Sequence, residues 1–95
     1  TITCAAYPNR VKLGHIPISI SVDGKIFDWN GLPAGDVKVR VIAGWGEISD
    51  CVSSSKGDWS VMLRGLPRKL GTYTIEVDVK SGSYGSCQRV VKVVE

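Results

Sequence analysis

The chain has 95 residues, 43% of them apolar, and no apolar run approaching the length of a membrane span. That composition suits one globular domain over residues 1–95, with no room for a second core and no membrane insertion. The net charge is +3, but the basic residues are scattered singly or in pairs, as in Arg10/Lys12, Lys38/Arg40 and Arg68/Lys69, which argues against a nucleic-acid partner.

Hydrophobic alternation of period two recurs along the chain, as in strands with one buried and one wet face. The first run, Ile2 to Leu13, is interrupted by Pro8 and reads as two short edge pieces. Ile18, Ile20, Val22 and Ile26 then share a face, as do Val37, Val39 and Val41. A weaker strand follows over Glu47 to Ser53, and Ser53-Ser54-Ser55 reads as a turn. Trp59, Val61 and Leu63 alternate with polar positions or Met62, and Tyr73, Ile75, Val77 and Val79 do the same. The closing run, Arg89 to Glu95, is β-branched but out of phase, which suggests burial on both faces or a bulge. Turn residues separate the runs, at Asn30-Gly31, Pro33 to Gly35, Gly44 to Gly46, Gly57, Gly65 to Pro67, Gly71 and Ser81-Gly82. No window carries helical periodicity free of Gly or Pro. The expected fold is therefore all-β, a seven-stranded antiparallel sandwich.

Several segments carry a family resemblance. Pro8 to Gly14, Ile18 to Gly24 and Leu32-Pro-Ala-Gly-Asp-Val-Lys-Val-Arg-Val41 resemble the first half of bacterial and archaeal Ig-like surface modules. Lys56-Gly-Asp-Trp-Ser-Val-Met-Leu63 and Gly71-Thr-Tyr-Thr-Ile-Glu-Val77 resemble the second half, and carboxypeptidase-regulatory-like and fibronectin-III-like domains share this grammar. The resemblance covers nearly the whole chain and implies an Ig-like fold, but its matching positions are strand and turn positions and name no ligand. The chain departs from the antibody pattern, having no Cys–Trp–Cys arrangement across two sheets. Asn9 and Asn30 are its only asparagines and neither lies in the last run, so no lysine–asparagine cross-link is expected. Gly57 is expected at positive φ, Trp59 as an inward ring filling one end of the sandwich, and Tyr73 as an inward tyrosine whose hydroxyl binds nearby backbone.

Strands that alternate in direction would sort the loops. One end would gather the chain start, Trp29-Asn30, Ser53 to Asp58 and Ser81 to Ser86. The other would gather Gly14 to Pro17, Gly44 to Gly46 and Gly65 to Leu70. Three cysteines allow at most one internal bridge. An exported chain with one bridge is favoured over three small buried thiols in a reducing compartment. Cys4 and Cys87 open the first and last strands at the same end, so Cys4–Cys87 is the expected disulfide, with Cys51–Cys87 as the alternative. The chain opens on Thr1 rather than Met, which points to a removed leader or a module of something longer.

Trp29, Asn30 and Tyr84 are candidate ligand-binding residues in adjacent loops, where aromatics could stack on a sugar or grip a partner. The competing reading, which is favoured, folds Trp29 back as a lid on the core. Trp45, near Arg40, Arg64, Arg68 and Lys69, could meet an anionic surface, although a solvated charge cluster is favoured there. No metal or cofactor is expected: His15 is the single histidine, the cysteines lack metal spacing, and Asp28, Asp50 and Asp58 lack a calcium-loop pattern. No nucleophile elbow or phosphate loop is present, so the chain is not expected to be an enzyme. The expected role is a non-catalytic Ig-like structural or interaction module of a secreted, cell-surface or virion protein, with a protein partner or neighbouring domains. The alternatives are a carbohydrate-binding module taking a polysaccharide, and an accessory domain of a larger extracellular enzyme.

Overall fold

A computed structural model of the chain describes residues 1–79 and 84–95; the turn expected at Ser81-Gly82 lies outside them. The described residues form eight strands: β1 (Ala5–Tyr7), β2 (Arg10–Lys12), β3 (Ile20–Lys25), β4 (Lys38–Ala43), β5 (Ile48–Val52), β6 (Asp58–Leu63), β7 (Gly71–Val79) and β8 (Ser86–Val94). The count exceeds the expected seven because the run broken at Pro8 supplies two strands that join different sheets. One sheet has the order β1-β3-β6, the other β2-β8-β7-β4-β5.

The pairing is antiparallel throughout except between β2 and β8, which run parallel. That corrects the expectation of a purely antiparallel sandwich. A chain that changes sheet between β1 and β2 without reversing meets its new neighbour in the direction it already had.

Alternation fills the space between the layers. Ile20, Val22, Ile26 and Leu63 from one side meet Val39, Val41, Ile75, Val77 and Val91 from the other, each essentially without exposure. Burial on this scale is the main favourable contribution to folding. Two expectations fail in phase. Ile18 is 86% exposed, because β6 ends at Leu63 opposite Ile20 and no strand remains to hold Ile18 in the ladder. The last run is neither bulged nor buried on both faces: β8 pairs residue by residue with β7, burying Val91 and Val93 and leaving Val90 and Lys92 outside.

The body measures 44 × 18 × 18 Å. The N-terminal ammonium donates to the Phe27 carbonyl at 2.9 Å, and at the far end Leu13 N–H donates to the Val94 carbonyl at 2.7 Å. The two ends of the chain therefore lie at opposite poles. Among the described residues the loop sorting expected from alternating strands holds, with the 26–37 and 53–57 connections at the pole of Thr1.

Candidate functional site

At the Thr1 pole the connection from β3 to β4 is stitched on every side. Phe27 N–H donates to the Thr1 carbonyl at 2.8 Å, Ile26 N–H to Gly57 at 2.9 Å and Ala34 N–H to Ile26 at 3.0 Å. Above this base, Asp28 builds a turn. Its Oδ1 accepts from the backbone N–H of Asn30 at 2.9 Å and of Leu32 at 3.0 Å, while its own N–H donates to the Leu32 carbonyl at 2.8 Å. Gly31 completes the turn at φ 81°, a conformation that suits a residue without Cβ.

The turn holds Trp29 outward at 92% exposure, with Leu32 at 60% beside it. The reading of Trp29 as a lid is thereby corrected. The base beneath it is already filled by Ile26 and Ala34 and closed by backbone hydrogen bonds, so the indole has no cavity to enter. Asn30 is exposed next to it. Tyr84 is different: it is half-buried and packs against the core cluster. Leu32 was not anticipated as a surface residue, since its apolar side chain carries no sequence mark of exposure.

Trp45 sits at the opposite pole. Its Nε1 donates to the Arg64 carbonyl at 3.0 Å, and its ring meets Tyr73 edge-on at 6.1 Å between centroids. Tyr73 in turn donates its hydroxyl to the Lys69 carbonyl at 3.0 Å, the backbone tie expected of it. Trp45 is thus half-buried and clasps the β6–β7 connection. Arg64, Arg68 and Lys69 are exposed around it, whereas Arg40 is held in a bidentate pair by Asp50, at 2.9 and 3.2 Å. Of the three aspartates weighed for calcium, Asp28 caps its turn, Asp50 holds Arg40 and Asp58 lies 3.6 Å from Lys25. Among the described residues no group of three metal-capable side chains comes together.

Cys4 and Cys87 are joined by a disulfide with Cα atoms 6.2 Å apart. Cys4 immediately precedes β1 and Cys87 lies in β8, so the bridge links the two sheets along one side of the sandwich. On the other side β5 and β6 run next to each other. There Cys51 is a half-buried free thiol. Burial raises its pKa, the Ser60 backbone N–H that hydrogen-bonds to it pulls the other way, and the Asp50 charge adds to the rise. An open groove of about 580 Å³ lies on this side, with Lys25, Val52, Ser54, Asp58 and Trp59 in its wall. Trp59 is buried as expected, and its Nε1 has no hydrogen-bond partner among the described residues.

No family model and no curated protein matches the chain. Among solved structures it is similar to the crystal structure of invasin, a bacterial integrin-binding protein, with a TM-score of 0.77 at 15% identity. The fold is a β-sandwich like one found in invasin. The similarity covers 100% of this chain and 19% of the invasin chain, so the chain spans about a fifth of that protein's length. At this identity the likeness to invasin speaks for the fold alone.

Proposed function

We propose that the chain is a non-catalytic Ig-like module of a secreted, cell-surface or virion protein that spaces or presents neighbouring domains. The observation that carries this reading is the placement of the two ends of the chain at opposite poles of a body 44 Å long and 18 Å wide. A unit entered at one pole and left at the other adds its full length to an array. The inter-sheet disulfide supports an oxidising setting. The neighbour that shares the fold, invasin, is a bacterial integrin-binding protein, and a protein partner in adhesion is the reading we adopt for this chain.

The test is small-angle scattering on two copies joined tail to head by a short linker. An extended particle, longer than one copy by about one module length of 44 Å, is the expected result. A pair folded back on itself would overturn the spacing role. Trp29 favours a second reading, in which the Thr1 pole grips a ligand, because a rigid turn with an exposed indole is what an aromatic platform requires. Titration with soluble polysaccharides, following tryptophan emission, tests it: a shift lost in Trp29→Ala would favour carbohydrate binding, and no shift with any glycan would leave protein contacts.

A further inference from the structure

An edge strand offers backbone donors and acceptors to any passing strand, and folded proteins guard such edges with short length, lysine, proline or a covering group. Among the described residues four strands lie at edges. β1 has three residues and runs directly into Pro8; β2 also has three, with Arg10 and Lys12 exposed. β6 opens on the charged Asp58, which lies 3.6 Å from Lys25, and β5 runs beside it. β5 is the least guarded: its one charge, Asp50, is paired with Arg40 of the neighbouring strand. Its five residues, Ile-Ser-Asp-Cys-Val, include no lysine, proline or glycine, and Ile48 and Val52 at its two ends are 56% and 54% exposed.

The backbone polarity of β5 follows from its ladder. Ala43 N–H donates to the Glu47 carbonyl and Ser53 N–H to the Val37 carbonyl. Hydrogen-bonded and non-hydrogen-bonded positions alternate along an antiparallel pair. Residues 47, 49, 51 and 53 therefore turn their amides to β4, and Ile48 and Val52 turn theirs to the open edge.

We propose that β5 pairs antiparallel with β5 of a second copy of this chain, about a two-fold axis at Asp50, joining two five-stranded sheets into one of ten. A two-fold interface must be self-complementary, and this strand is. In that register Ile48 faces the second copy's Val52 and Val52 faces its Ile48, so both exposed apolar side chains gain apolar neighbours on the outer face. A shift of two residues in either direction destroys both matches, setting Ile48 against Asp50 or Ser54. At the axis the two Asp50 carboxylates come together, but each is held by its own Arg40, so the group of four charges is neutral. The inner face sets Ser49 against Cys51. A contact limited to one pair of five-residue strands falls at the small end of interfaces, so the association is weak and reversible.

Sedimentation equilibrium on the oxidised chain, taken to about 1 mM, tests the pairing. A concentration-dependent dimer is expected, with dissociation at least tenfold stronger in Val52→Lys, a charge on the edge of the kind that guards other sheets, and an unchanged thermal midpoint. Trp29→Ala is expected to leave the dimer intact. Mild oxidation of Ser49→Cys is expected to give a covalent dimer through position 49 and Cys51. A monomer at every concentration overturns the proposal. So does association that survives Val52→Lys but is lost in Trp29→Ala. A wild-type dimer cross-linked through two Cys51 residues overturns the register.

Discussion

The three tryptophans have three environments, and only one was readable from pattern. Trp59 stands in phase with Val61 and Leu63, so period two places it inside. Trp29 and Trp45 stand in loops, where burial depends on which other loops arrive nearby, and no local pattern carries that information. The indole of Trp29 touches little, so Trp29→Ala is expected to change stability by less than about 0.5 kcal/mol in thermal unfolding. Trp59→Ala should cost about 3–5 kcal/mol through the void it leaves. Trp59→Phe should cost far less, because the smaller loss of packing is offset by removing a buried N–H without a partner among the described residues, whose desolvation penalty is about 1–3 kcal/mol. Denaturant unfolding of both variants reads the difference.

At the scale of elements, turn chemistry explains the joints. Gly57 adopts φ 79°, as its place before Asp58-Trp59 suggests, and a Cβ there would come within 2.5 Å of the Ile26 carbonyl oxygen. Gly57→Ala is therefore expected to destabilise by more than about 1 kcal/mol, seen as a lowered unfolding midpoint. Ser53 was legible only as part of a polar turn. It is in fact buried, accepting from Val37 N–H at 3.0 Å and donating to the Ala34 carbonyl at 2.8 Å, which fastens the end of β5 to the start of β4. A run of three serines does not show which one turns inward; the arrival of Val37 and Ala34 decides it. Ser53→Ala should cost about 1–3 kcal/mol by leaving these groups buried and unmet, measured by the same unfolding experiment.

Across the whole molecule, the disulfide closes a loop with a sequence separation of 83 residues. The chain-entropy argument assigns such a loop about 4–5 kcal/mol, a large share of the 5–15 kcal/mol that holds a typical domain together. Unfolding with and without reductant should show a loss of that order. Cys51 makes a second prediction, in pH. Its folded pKa is raised by burial, so above the ordinary thiol range the unfolded chain loses this proton first and binds fewer protons than the folded one. Stability from this group is thus complete at neutral pH and declines as the pH rises through that range. Cys51→Ser should flatten that decline in a stability-against-pH series.

The β-sandwich class, the sorting of the described loops between poles and the inward phase of Trp59 and Tyr73 were determined by sequence, because alternation and turn residues act over a few neighbours; the choice of Cys4–Cys87 over Cys51–Cys87 was settled by how the two sheets meet. The eighth strand, the parallel β2–β8 pair, the outward Trp29 and the least guarded edge at β5 were decided only in three dimensions. Each depends on which distant segment lies alongside, and that is set by how two layers close over one core, a condition no short stretch of chain contains.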